Sequence, residues 1–170
     1  VAFTGAVLQM VSHGLMTALF FAVIGMIYER THTRMIADME GLMRTMPFIM
    51  TMLFLSGLCS LGLPALSGFV AEMTVFIGSW QQTGTLHRAA TIVSTMSIVV
   101  TAVYILRAVG QIAMGVIRNE HSNLGDAHWY ERWAAILLVA GILAIGLLPG
   151  WLMKLLEPTI TMISNRSGAF

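Results

Sequence analysis

The chain has 170 residues, of which 57% are hydrophobic and only 10% charged. With a mean hydropathy of +0.82, it is too apolar and too sparsely charged for a soluble domain. A formal net charge of +1 gives no basis for nucleic-acid binding or a strongly basic membrane-surface patch.

The charges are clustered. None occurs from Val1 to Tyr28, from Thr45 to Ala71, from Met73 to His87, from Ala89 to Leu106, or from Trp133 to Met153. Most of these windows can cross a hydrocarbon core of roughly 30 Å, which takes about 20 helical residues. An all-α, polytopic membrane helix bundle is therefore expected. Because Val1 follows neither an initiator Met nor a basic leader, the chain reads as part of something longer.

The first span covers residues 2–28. It is followed by a polar loop, 29–45, carrying Arg30, Arg34 and Arg44. The second apolar stretch, 46–80, is about 35 residues and would be roughly 50 Å long as one helix, too long for a single straight crossing. A break is expected at 62–68, in Gly62-Leu-Pro-Ala-Leu-Ser-Gly68. Pro64 lacks an N–H and would clash with the Ser60 carbonyl, Gly62 and Gly68 tolerate unusual backbone angles, and Ser67 is the expected N-cap of the restarted half-helix.

The third span is expected at 89–116, then a loop at 117–132, then a fourth span at 133–153. Trp129, Tyr130 and Trp133 at one end of this last span and Trp151 at the other have the character of interfacial aromatics. Residues 1–157 read as one membrane domain and 158–170 as a short C-terminal tail. Arg30, Arg34, Arg44, Arg107, Arg118 and Arg132 lie on the side of the two longer loops, against Arg88, Lys154 and Arg166 opposite. The positive-inside rule then places both loops in the cytoplasm and Phe170 outside, in what is expected to be a bacterial plasma membrane.

Glu72 is the sharpest chemical signal. A carboxylate at membrane depth costs about 2.5–3.5 kcal/mol on insertion scales, so it faces protein or water and often marks a proton or ion path. It also follows a broken helix, whose free backbone groups lipid cannot satisfy and whose restarted half favours an anion near its start. The competing reading is an interfacial residue or a structural ion pair. His13 comes second. Gly5, Gln9, Ser12, His13 and Thr17 fall on one helical face and form a polar stripe. Histidine as a residue type suits proton pick-up and release, although a lone buried histidine can equally be a packed, neutral one.

Ser94, Ser97, Thr101, Tyr104 and Gln111 repeat the stripe on the third span. They are candidate polar lining, together with Gln9, Ser12 and Thr17, or else interhelical glue. The mixed charges of Tyr28-Glu-Arg-Thr-His-Thr-Arg34, like Asp38, Glu40 and Arg44, read as a solvated cap or subunit contact. Cys59 has no disulfide partner, and the 14 methionines show no metal-binding pattern. No glycine-rich phosphate loop, CxxC pair, nucleophile elbow or haem motif occurs. No cofactor or metal is therefore expected on this chain.

Three stretches together carry a family resemblance: Gln9-Met-Val-Ser-His-Gly-Leu15, Tyr28-Glu-Arg-Thr-His-Thr-Arg34 and Leu61-Gly-Leu-Pro-Ala-Leu-Ser-Gly-Phe-Val-Ala-Glu72. They resemble the C-terminal part of subunit M (subunit 4 in mitochondria) of the proton-pumping NADH-quinone oxidoreductase, respiratory complex I. The resemblance implies an antiporter-like fold of inverted helix repeats, each with a broken helix, of which this chain would supply the last four helices. It implies that His13 lies on a central hydrophilic axis and that Glu72 is the acidic residue of the second broken helix, at the channel to the far side. Glutamate at position 72 favours subunit M over its sister pumping subunits and the related sodium–proton antiporter subunits, which commonly carry lysine there. Ala71 stands where the family often has glycine.

NADH, FMN, iron–sulfur clusters and quinone would belong to partner subunits, and sister antiporter-like subunits, lipid, protons and internal water would be this chain's partners. A multisubunit cation/proton antiporter, a membrane-bound hydrogenase subunit and a purely structural subunit are the alternatives.

Overall fold

A computed structural model describes residues 1–117 and 119–167. Arg118 and Phe170, both used in the orientation argument, lie outside the described residues. The described part contains helices α1 (Ala2–Thr31), α2 (Pro47–Ser60), α3 (Ser67–Trp80), α4 (Thr85–Ala113), α5 (Trp129–Leu147) and α6 (Pro149–Ser167), with short 3-10 turns in the two longer loops. Among them α1, α4 and α5 are each long and apolar enough to cross a membrane. α2 and α3, at 14 residues each, are roughly 21 Å long and share one crossing.

α1 is central and packs on α3, α2 and α5. Leu19, Val23, Met26 and Ile27 of α1 meet Leu42, Met46, Ile49, Met50 and Leu53 in the main buried cluster, which Val109 of α4 and Ile142 of α5 complete. A smaller cluster of Leu8, Ala71, Ile145 and Leu152 lies under the other end. α4 packs mainly on α2, α3 and the first loop, and most of its surface stays exposed.

Two boundaries differ from the sequence expectation. The third span begins at Thr85 and ends at Ala113: no helix-breaking residue follows Gly84, so the polar start of α4 propagates as helix. The fourth span is two helices. Trp129–Leu147 stops at Leu148, and Pro149, well placed at a first helical position, starts α6, which continues through Ser167. The residues expected as a tail are thus mostly helical. α6 carries the polar Lys154, Glu157 and Thr161 beside apolar Leu152, Met153 and Ile160, and Thr4 of α1 lies next to this polar set.

The loop side is tied together by charges, among them Arg30, which was expected to belong to a solvated cap or subunit contact. Arg30, at the end of α1, makes a two-pronged ion pair with Glu131 in the first turn of α5, at 2.6 and 3.2 Å, with both side chains 9% exposed. Its other donors go to the carbonyls of Met26, Gly125 and Asp126. Glu131 also accepts the His128 amide at 2.6 Å, closing a capping box on α5. Asp126 accepts the Phe48 and Ile49 amides at 3.0 and 3.3 Å, so a residue from the second loop caps α2. Gly41 donates to Met114 at the end of α4. Four helix ends are held in one polar layer.

Breaking a buried pair by removing one partner strands the other charge and costs about 3–5 kcal/mol. Arg30→Met should therefore lower the thermal unfolding midpoint of the full-length protein in detergent by several degrees. Arg30→Met combined with Glu131→Met should restore part of that loss; a double variant as unstable as the sum of the singles would show that the pair is not coupled.

Candidate functional site

The break between α2 and α3 is built from two consecutive motifs. Gly62, at φ +63°, ends α2, with its amide donating to Cys59 O and the Leu63 amide to Leu58 O. This is the Schellman arrangement, in which the last helical carbonyls are satisfied by the chain that turns away. Leu63, Pro64, Ala65 and Leu66 then form a tight turn closed by Leu66 N–H to Leu63 O at 3.1 Å. Proline second and a positive φ third, +76° at Ala65, have the pattern of a type II turn. Pro64 thus acts after α2 has already stopped, through the turn and not through a clash with Ser60.

Close packing covers this exposed backbone. Gly146 of α5 lies directly against Ala65 O, where any side chain at position 146 would collide. Ser67 is the first residue of α3 and does not cap it; Leu66 holds the cap position. The Ser67 hydroxyl is fully buried and bonds the Ser12 hydroxyl of α1 at 2.7 Å, with Cys59 Sγ at 3.8 Å.

Glu72 lies in the second turn of α3 and folds back over the break. A Cβ on Gly62 would meet its Oε2, so the carboxylate end packs directly on the bare backbone of position 62, which favours glycine for its positive φ. The half-buried carboxylate lines a cavity of about 260 Å³ with Ser60 of α2, Phe76 of α3, and Ser94, Ser97, Ile98 and Thr101 of α4. The protons of three of these hydroxyls go to carbonyls of their own helices: Ser60 to Gly57, Ser97 to Ser94 and Thr101 to Ser97, at 2.6–3.1 Å. Their oxygens therefore face the cavity as acceptors.

Of the residues singled out from sequence, the structure brings Glu72, Ser94, Ser97 and Thr101 together around this cavity and sets Gly62 against the carboxylate. Tyr104 does not line it and is 58% exposed. The α1 stripe divides: Ser12 turns inward to Ser67, whereas His13 is exposed and does not line the Glu72 cavity. Gln9 Oε1 and Thr17 Oγ1 are buried and have no hydrogen-bond partner among the described residues. Sequence reasoning missed Ser60 and the Ser12–Ser67 pair. The spacing signal that singled out Ser97 and Thr101 was available for Ser94, and it was used there; Ser60 carried only its position just before the break.

Residues 1–97 match the family described as NADH:quinone oxidoreductase/Mrp antiporter, transmembrane. The chain is 36% identical over 169 residues to NAD(P)H-quinone oxidoreductase chain 4 1 of Trichormus variabilis, covering 96% of this chain and 32% of the relative. It is 35% identical over 166 residues to chain 4 of Acaryochloris marina, covering 94% and 31%. Its fold is similar to a chain of respiratory complex I from Thermus thermophilus with bound NADH, with a TM-score of 0.83 and 26% identity over 95% of this chain and 33% of that one. The chain thus spans about a third of the length of these relatives. It belongs to the NADH:quinone oxidoreductase/Mrp antiporter transmembrane family and is a multi-pass membrane protein.

Two substitutions test the break. Gly62→Ala should destabilise the protein by roughly the 1–2 kcal/mol of a left-handed alanine, with the flexible carboxylate end shifting aside. Ala65→Gly, at an exposed position, should stabilise it by roughly 1 kcal/mol. Thermal unfolding of the full-length protein in detergent reads both, and a stabilised Gly62→Ala would contradict the left-handed backbone at position 62.

Proposed function

We propose that this chain belongs to a proton-translocating membrane subunit of an NADH-quinone oxidoreductase, in which electron transfer to quinone takes place in partner subunits and this chain moves protons. One observation carries the reading: a carboxylate packed on the open turn of a broken membrane helix, facing a cavity walled by hydroxyl oxygens that can accept hydrogen bonds. A water between that wall and Glu72 donates one O–H to a wall oxygen and the other to the carboxylate, which places a proton donor against it. A carboxylate reached by that water takes up a proton to become the neutral acid, which low-dielectric surroundings favour, and gives it back when a neighbouring charge changes. Gly62, Pro64 and Gly68 supply the interruption that makes room for the carboxylate.

His13 enters as a relay member by resemblance to the family. Its support is the polar stripe of α1, where the buried Gln9 Oε1 and Thr17 Oγ1 flank it one turn to either side. Proton transfer between His13 and Glu72 would need water or a further element between them. The finer placements belong to the same proposal: a bacterial plasma membrane, the two longer loops on the cytoplasmic side, and sister antiporter-like subunits as neighbours. NADH, FMN, iron–sulfur clusters and quinone would be held elsewhere in the complex.

A second reading has one specific observation in its favour: the matching family also covers Mrp antiporters. A cation/proton antiporter subunit would exchange cation for proton without any electron donor. The curated relatives at about 36% identity, named as quinone oxidoreductase chain 4, favour the redox-coupled reading.

The parent complex carrying Glu72→Gln, confirmed as assembled, tests the proposal through quinone-reductase turnover and proton uptake into vesicles measured side by side. Glutamine keeps the shape and removes the titration, so pumping per electron, or both quantities together, should fall severalfold. Ser97→Ala with Thr101→Val should give a smaller loss. Unchanged turnover and pumping in the assembled Glu72→Gln complex would make the carboxylate structural, and exchange driven by a cation gradient without electron donor would favour the antiporter reading.

A further inference from the structure

A second cavity, sharing no residue with the one at Glu72, opens between α1 and α4 at their loop-side ends. Its volume is about 290 Å³, at the lower edge of the range for small-molecule pockets. Phe20, Ile24 and Ile27 of α1 form one wall and Val109 and Ile112 of α4 the other, with the buried Leu53 of α2 behind them. The walls offer an occupant almost nothing polar. At the mouth, however, Arg34 stacks its guanidinium over the Tyr28 ring, 4.7 Å from the ring centre. Arg34 is exposed, and among the described residues no carboxylate lies within ion-pair distance of it.

An apolar slot between membrane helices, with a fixed and unneutralised guanidinium where the helices end, is complementary to one class of molecule. We infer that this cavity holds an acyl chain of an anionic phospholipid whose phosphate pairs with Arg34. Four physical arguments converge. The slot lies between α1 and α4, each long and apolar enough to cross a membrane, where acyl chains are present at high local concentration. Its aliphatic and aromatic walls suit methylene groups and reject headgroups. A planar guanidinium matches phosphate oxygens in a two-pronged way, and stacking on Tyr28 fixes its plane so that less freedom is lost on binding. Finally, Arg30 already has its charge neutralised by Glu131, whereas Arg34, at the mouth of the slot, has no carboxylate within ion-pair distance among the described residues.

The test uses the assembled parent complex with Ile24, on the cavity wall, replaced by a photoreactive benzoylphenylalanine. The complex is reconstituted into vesicles of equal parts phosphatidylglycerol and phosphatidylcholine, irradiated, and the adducts are identified by mass spectrometry. Phosphatidylglycerol adducts should exceed phosphatidylcholine adducts severalfold. Arg34→Gln should bring the ratio close to one, Arg34→Lys should keep part of the preference, and Ala108→Trp, which fills the slot, should reduce both adducts. Equal yields without substitution would overturn the headgroup selection, and adducts to a polypeptide segment would overturn the lipid assignment altogether. Quinone-reductase turnover of each variant verifies assembly, and the result stands apart from whether Glu72 carries protons.

Discussion

Hydrocarbon supplies no hydrogen bonds, so a chain that interrupts a helix at membrane depth must satisfy its freed backbone from within. The rest of this bundle follows from how that is done between Ser60 and Ser67. The amides of Gly62 and Leu63 return to the last carbonyls of α2, and Leu66 closes the next turn on Leu63. Part of the backbone that remains is covered by protein: Gly146 brings α5 onto the Ala65 carbonyl, and Ser12 of α1 reaches Ser67, while Leu63, Pro64 and Ala65 stay exposed. Two neighbouring helices are thus committed to shielding one turn. The third side, toward α4, is left as a cavity, and that is the side where Glu72 lies.

The depth of the break is set from the loop side. α2 is a strut of about four turns, with its lower end fixed by Asp126 and its upper end ending at Gly62. Asp126 is itself located by the layer that joins Arg30 to Glu131, and Arg132 reaches both it and the Phe48 ring. A buried ion pair contributes little net stability compared with a well-packed apolar pair, because desolvation offsets attraction. What it does provide is one geometry. Arg30 satisfies its donors on Glu131 and on the Gly125 and Asp126 carbonyls at the start of α5, which sets the register of α1 against α5.

The membrane class, the interrupted second span and Glu72 were legible because each is written locally: long uncharged windows, a Gly-Pro-Gly cluster too far along for one crossing, and a carboxylate beside it. Helical spacing also picked out Ser97 and Thr101, since period alone decides which residues share a face. Three features were not legible. The Arg30–Glu131 pair joins residues about a hundred positions apart, and nothing in Tyr28-Glu-Arg-Thr-His-Thr-Arg34 distinguishes a charge that will be buried from one that will be solvated. Asp126 caps a helix to which it is not adjacent, so no N-terminal signature precedes Pro47. The division at Pro149 was hidden because the apolar pattern runs straight through it to Met153, and proline at a first helical position starts a helix as readily as proline inside one ends it.

The same limit of period-based reading bears on the proton route. A stripe on a helical wheel states which residues share a face, but not what stands opposite each of them. On α1 the stripe splits between two environments, with Ser12 in a dry hydroxyl contact and His13 on an exposed surface. On α3, Ser67 and Glu72 are five residues apart and therefore about 140° apart around the helix. The Ser12–Ser67 contact accordingly faces one side of α3 and the carboxylate another. Any exchange of protons between the α1 stripe and Glu72 has to go around α3 or through the turn that precedes it. The turn is the shorter way, because there the helix is absent, Gly62 presents bare backbone to the carboxylate, and Cys59 and Ser67 meet on its far side. In the route proposed for this chain, the interruption of the helix would join the two sides, and the carboxylate lies beside it, facing the α4 hydroxyls.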